Sequence, residues 1–237
     1  HTLSQNRFAA IVAAATFLTI PYVVTWSNLL RIDLVALVLS MAGLLLLVRW
    51  PSSRLAMIGG GLLLLAAIYT RQSYALAAPL AAFGWLWTQQ GRQRALELTA
   101  VVGGLGLILF IALTALTGGG FWFHIVRANV NPFSWERVWE LLVAAGELMP
   151  FLIIGGLLLI ALGYKRVNGW PLLALYALGA FISALTIGKV GSNINYLLEL
   201  CAALSLLMGA LLAWRETAPW QLAVIMVLLA LQLGWLM

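Results

Sequence analysis

The chain has 237 residues, 64% of them hydrophobic, with 13 Lys/Arg against 7 Asp/Glu, a net charge of +6 and a mean hydropathy of +1.04. Soluble domains are about 45–50% apolar and about 25% charged, so this composition excludes a soluble enzyme, and it excludes a disordered chain, which would be polar and charged. The basic residues stand in ones and twos between apolar runs, with no stripe to track a phosphate backbone, so nucleic acid is excluded as a partner.

What remains is an all-α, polytopic membrane helix bundle. A crossing helix needs about 20 apolar residues, within a range of roughly 17–25. Splitting the chain at its charged and Pro/Gly-rich breaks predicts nine transmembrane segments, at 8–26, 34–49, 55–70, 73–89, 95–117, 147–164, 169–187, 194–214 and 218–236. The third and fourth are short, and are expected to face protein or thinned bilayer. Together they read as a single transmembrane domain over 1–237. Because the chain opens at His1 and runs through Arg7 straight into an apolar stretch, it is expected to be an internal or C-terminal part of a longer protein. Cys201, the lone cysteine, lies within an apolar run and excludes a disulfide framework or a cysteine metal site.

With the N-terminus cytoplasmic, the inner loops hold Arg7, Arg49, Arg54, Arg92, Arg94, Lys165, Arg166 and Arg215, and the outer ones Arg31, Arg71, Arg127, Arg137 and Lys189. That asymmetry follows the positive-inside rule and predicts a multi-pass protein of a cell membrane. Tryptophans 26, 50, 85, 87, 122, 135, 139, 170, 214, 220 and 235 fall near segment ends, as an aromatic belt does. The inner loops are short and explained by anchoring alone. The polarity gathers outside.

The first outer element is Trp26-Ser-Asn-Leu-Leu-Arg-Ile-Asp33. Asp33 there is either the cap of the following helix, where a carboxylate is favoured, or a substrate residue. The second, Tyr69-Thr-Arg-Gln-Ser-Tyr74, places Arg71 and Gln72 at a turn where a helix N-terminus follows. That combination is a ready anion site, and a snorkelling arginine is the plainer reading. The third is the 30-residue stretch from Gly118 to Glu147, which carries His124 and Arg127. Within it Ser134 is a predicted N-cap, and Trp135, Val138, Trp139, Leu142 and Val143 share one helix face with Glu136, Arg137 and Glu140 on the other. This reads as an extracytoplasmic loop, 118–147, bearing an amphipathic interfacial helix. The fourth element is Gly188-Lys-Val-Gly-Ser-Asn-Ile-Asn-Tyr-Leu-Leu-Glu199. A helix starting near Ser192 puts Asn193, Tyr196 and Glu199 broadly on one side, with Glu199 at a depth where an ionisable group is costly and marks function. Glu199 paired with Arg31, Arg71 or Lys189 is the structural alternative. The cation-rich outer face suits an anionic lipid headgroup, a lipid-linked phosphate above all.

Four runs carry a resemblance: Arg-Ile-Asp-Leu-Val-Ala-Leu-Val-Leu-Ser (31–40), Thr-Arg-Gln-Ser-Tyr-Ala-Leu-Ala-Ala-Pro (70–79), Asn-Val-Asn-Pro-Phe-Ser (129–134) and Gly-Lys-Val-Gly-Ser-Asn-Ile-Asn-Tyr-Leu-Leu-Glu (188–199). They resemble bacterial membrane glycosyltransferases of the GT-C superfamily, of the protein-mannosyltransferase-like type that uses polyprenyl-phosphate sugars. The resemblance implies transfer of a sugar from a polyprenyl-phosphate donor to an acceptor at the extracytoplasmic face, in a cell-envelope pathway. It implies that Arg31, Arg71, Gln72, Lys189, Asn193, Tyr196 and Glu199 bind substrate, with His124 and Arg127 as loop candidates. The family's general base is an acidic residue in the first outer loop. No such loop is found here, so the base is expected upstream of His1, with Asp33 as a lesser candidate. A divalent metal would be compatible with the chemistry, but no carboxylate cluster has ligand spacing. The expected partners are the lipid-linked sugar and membrane lipids. Two alternatives stay open: a transporter or flippase for a lipid-linked or anionic substrate, with helix breaks at the glycine runs 59–61 and 103–106, and a non-catalytic scaffold of an envelope-polymer complex.

Overall fold

The computed structural model describes residues 2–29, 31–214 and 219–236. Arg215, one of the basic residues counted toward orientation, lies outside the described residues.

Among the described residues there are thirteen α-helices, in the order α1 (Arg7–Thr19), α2 (Pro21–Ser27), α3 (Ile32–Arg49), α4 (Arg54–Thr70), α5 (Ala77–Gln90), α6 (Arg92–Thr99), α7 (Leu105–Leu116), α8 (Gly120–Ile125), α9 (Trp135–Leu148), α10 (Pro150–Leu162), α11 (Trp170–Ala184), α12 (Leu198–Leu212) and α13 (Pro219–Leu236). Short 3-10 turns lie at Gln72–Ala75, Arg127–Asn129, Leu185–Gly188 and Ile194–Leu197. Each of the nine sequence segments coincides with helix. Four rods among the described residues are long and apolar enough to cross a membrane: Ile32–Arg49, Arg92–Leu116, Trp170–Gly188 and Ile194–Leu212. The total reaches six if each of two bent pairs counts as one span. Nine full-length spans are therefore not what the described helices provide; two of the segments are divided at proline into bent pairs. Pro21 ends α1 and turns α2 by 68°, while Pro150 opens α10 at 92° to α9. Proline at the first helical position lacks only an amide that would be unpaired anyway, so it starts a new helix and stops the old one. α4, at 17 residues, stands at the lower limit of the spanning range.

The glycine runs do not break the chain. α4 runs continuously through 59–61, and residues 100–104 form a π-helical turn that joins α6 to α7 as one rod. Gly60 is needed because its α-carbon lies against α3: an added Cβ would meet Leu47 Cγ at 2.7 Å and the Gly43 carbonyl at 3.1 Å. Close approach of this kind is how helices associate where lipid is as apolar as leucine. The core is built by α3 on α4, α5 on α11, and α12 seated among α1, α10 and α11.

The α9–α10 corner is closed from a distance. Gln232 of α13 accepts from the Phe151 and Leu152 amides through Oε1 (3.1 and 3.3 Å) and donates from Nε2 to the Leu148 carbonyl (2.8 Å). Trp235 Nε1 donates to the Glu147 carbonyl at 2.7 Å. The first amides of α10 have no partner within their own helix, and a buried glutamine supplies one. Gln232→Leu is expected to cost about 1–3 kcal/mol, the penalty of leaving such groups unpaired, readable as a lower thermal midpoint in detergent.

Candidate functional site

The α3 N-terminus, the α4–α5 turn and the 3-10 turn before α12 meet at one end of the bundle. Asp33 is their common point. It stands in the first turn of α3, where the helix dipole favours a carboxylate, but it does not cap that helix: Arg31 is the N-cap, with no side-chain cap bond. Asp33 instead forms an ion pair from Oδ1 to Arg71. Its Oδ1 also accepts from Asn195 Nδ2 at 2.8 Å, and Oδ2 accepts from Trp26 Nε1 at 2.8 Å. The Tyr74 hydroxyl donates to the Asp33 carbonyl at 2.9 Å. Asp33 is 1% exposed, so a carboxylate that would be untenable alone is held by three donors, one of them charged.

Arg71 is fixed in turn. Its Nε donates to Ser73 Oγ at 2.9 Å, and its guanidinium lies 4.6 Å from the centroid of the Tyr196 ring, a cation–π contact worth more when desolvated. Tyr74 lies in the turn between α4 and α5.

Glu199, in the first turn of α12, is 4% exposed, and its Oε1 has no hydrogen-bond partner. The pairing with Arg31, Arg71 or Lys189 expected as its structural alternative does not form: among the described residues the ion pairs are Arg71–Asp33 and Arg94–Glu97. The Tyr176 hydroxyl on α11 and Asn195 Oδ1 are buried without partners as well.

Of the sequence-predicted residues, the structure therefore brings together Asp33, Arg71, Tyr196 and Glu199. Arg31 is one layer out, exposed, with its guanidinium 5.3 Å from the Trp26 ring whose indole nitrogen serves Asp33. Lys189 is half-buried on a strand-like segment that pairs with Phe133; Ser134 N bonds the Gly188 carbonyl at 3.0 Å and Val190 N the Pro132 carbonyl at 2.9 Å. This bridge brings the long loop to the same end of the bundle. Gln72 is exposed and faces away, lining a cavity of about 450 Å³ with Tyr69, Phe110 and Phe121. His124 and Arg127 are exposed, and no hydrogen bond or ion pair joins either to the cluster among the described residues. Asn193 is exposed and caps its own turn, accepting from the Ile194 amide at 2.7 Å.

The helix before α12 starts two residues later than expected, as a 3-10 turn at Ile194. That shift carries Asn195, rather than Asn193, inward. Trp26 and Trp85 are 4% and 5% exposed, so neither belongs to an aromatic belt. Arg137 is not on a solvated face: it donates from an Nη to the Ser192 carbonyl at 2.6 Å. Ser134 does cap α9, accepting from Arg137 N at 3.2 Å. The apolar face of α9 divides, with Val138 and Ala145 buried while Trp135 and Trp139 are each 70% exposed.

Among the described residues no group of three or more His, Cys, Asp or Glu side chains is placed to hold a metal. The arrangement offers an anchored guanidinium, a free lysine at the rim and an unpaired buried carboxylate. No family model, curated protein or solved structure matches the chain.

Proposed function

We propose that the chain is a multi-pass protein of the bacterial inner membrane, and that it forms the donor-binding part of a GT-C-type glycosyltransferase acting on polyprenyl-phosphate sugars at the extracytoplasmic face. The observation that carries the reading is the convergence of three separate elements that bury Asp33, Asn195 and Glu199, with part-buried Arg71 paired to Asp33, at one end of an otherwise apolar bundle. Buried ionisable groups within a membrane bundle are costly and mark function. In this reading all nine helical segments cross or enter the bilayer, and Trp135 and Trp139 of α9 dip into the leaflet.

The chemistry assigns roles. Attack at the anomeric carbon breaks its bond to the phosphate oxygen, so negative charge grows on the leaving polyprenyl phosphate. Lys189, with no anionic partner among the described residues, and exposed Arg31 receive that charge. Arg71, tied to Asp33, sets the floor of the site. Asp33, with both oxygens engaged, is unsuited to take a proton from the acceptor, so the reading needs a base other than Asp33. Glu199, Tyr196 and Asn195 face the sugar side. An apolar cleft of about 370 Å³ between α1, α3 and α12 includes Phe17, Leu37 and Met41 in its walls and suits the lipid tail.

Lys189→Gln is expected to lower kcat and kcat/KM for a polyprenyl-phosphate sugar together, about tenfold, with KM little changed, as loss of a charge-assisted contact that strengthens in the transition state implies. The measurement is polyprenyl phosphate release from a panel of labelled donors in membranes holding the intact protein. No release from any donor would remove the reading. A second reading, a non-catalytic scaffold, draws on the saturation of Asp33, which is what a structural staple looks like; unaltered release in the Lys189 variant would favour it.

A further inference from the structure

We propose that the cavity beside the π-helical turn binds an uncharged, single-chain amphiphile with a hydroxyl head, drawn from the leaflet at the Asp33 end of the bundle. The cavity, of about 450 Å³, lies between α4, the α6–α7 rod and α8. Arg71 in the α4–α5 turn is bonded to Asp33, whereas Gln72 beside it lines this cavity. Contacts across three elements fix the walls. The Tyr69 hydroxyl donates to the Gly106 carbonyl at 2.6 Å and ties α4 to α7. The Tyr69 and Phe121 rings stack with centroids 6.2 Å apart, and Phe110 meets Phe121 edge-on at 5.6 Å. At the base Gly106 brings α7 against α4: an added Cβ there would lie 3.2 Å from Leu65 Cδ1.

The lining is graded in polarity. Gln72, in the turn that follows α4, is exposed. Tyr69, Phe110 and Phe121 come next, and Leu65, 5% exposed, lies deepest. From Leu65 to Thr70 α4 rises about 7 Å, so the cavity reaches well below the level of Gln72. Amide, then aromatic, then aliphatic is the order of a leaflet read from its interface toward its centre. The way in is lateral, because Leu107 is 60% exposed and 6% of the rod Arg92–Leu116 is buried. A lipid can therefore enter without leaving the bilayer. Since lipid tails are as apolar as these walls, ring packing and the amide must carry the selection. Charge then decides the head. None of the described residues that line the cavity is charged. A phosphate or carboxylate would find no cation there and an ammonium no anion, each leaving an unpaired charge. The Gln72 amide both donates and accepts. A hydroxyl does both in return, whereas an anion only accepts and an ammonium only donates.

The test is photo-crosslinking of the full chain in lipid nanodiscs with hexadecanol bearing a diazirine on its chain, the labelled peptides being mapped by mass spectrometry. Saturable labelling of 65–75 and 102–110 is expected, displaced by unlabelled hexadecanol about tenfold better than by hexadecyl phosphate. Gly106→Leu, which fills the base, is expected to abolish it. Gln72→Leu, an exposed substitution that leaves the fold intact, is expected to weaken hexadecanol about fivefold, as loss of one neutral hydrogen bond implies; it carries the test if the Gly106 variant fails to fold. Labelling that never saturates, or that spreads evenly over the lipid-facing helices, would overturn the site. Equal displacement by hexadecyl phosphate would overturn the uncharged head.

Discussion

Replacing Arg71 with methionine is expected to destabilise the fold by about 3–5 kcal/mol, the cost of stripping one partner from a buried ion pair. The loss is not mainly the attraction itself. It is the Asp33 carboxylate left at 1% exposure with only the neutral donors Trp26 and Asn195. The double variant Asp33→Leu, Arg71→Met is therefore expected to recover most of that loss, since replacing both members of such a pair by apolar groups of similar size is often neutral. Thermal or denaturant unfolding of the four proteins of the cycle checks this. A double variant as unstable as the sum of the singles would mean that the two residues do not act as a pair. If the double variant folds yet fails to release polyprenyl phosphate, Arg71 serves the site as well as the structure.

The second large effect is expected at Gly179, where α11 crosses α5. A Cβ there would lie 2.6 Å from Ala77 Cα and 3.2 Å from Ala77 N. Both are backbone atoms, so no rotamer change relieves the clash and the helices must part. Gly179→Val is expected to cost about 3 kcal/mol, at the upper end of overpacking penalties. It should also disturb Tyr176, one turn away on the same helix. Gly146 of α9 is the matching control: nothing lies within 4 Å of its added Cβ. Gly146→Ala is expected to stabilise by roughly 0.5–1 kcal/mol through helix propensity. Equal midpoints for the two variants would show that the α5–α11 approach is looser than the geometry states.

Much of this architecture is legible from hydropathy alone, because apolar runs between charged breaks have few alternatives to helix. What hydropathy does not carry is direction. Trp26 sits at the end of a segment and reads as a belt residue, but the turn at Pro21 carries α2 inward and its indole reaches Asp33. Asn193 and Asn195 are indistinguishable by composition, and only the register of a 3-10 turn decides which of them is buried. Arg137 follows Glu136 and reads as part of a wet face, whereas the Ser192 carbonyl beside α9 needs a donor. Asp33, Arg71 and Glu199 stand out in the sequence because charge is rare in it, and the structure brings them to one end of the bundle. Tyr176 is not legible in the sequence at all: a lone tyrosine in a leucine-rich helix acquires meaning only once its hydroxyl is seen to be buried without a partner.

The corner closed by Gln232 bears on how the protein is made. Chain synthesis releases α9 and α10 some 80 residues before the side chain that satisfies their junction. Until then the Phe151 and Leu152 amides and the Leu148 carbonyl must find water or a temporary partner. The corner is thus a natural site for delayed insertion, with the earlier bundle assembled first and α13 locking α10 in place. A ribosome stalled before Gln232 emerges would hold a chain in which that stretch remains open to proteases or chaperones while the rest is already protected.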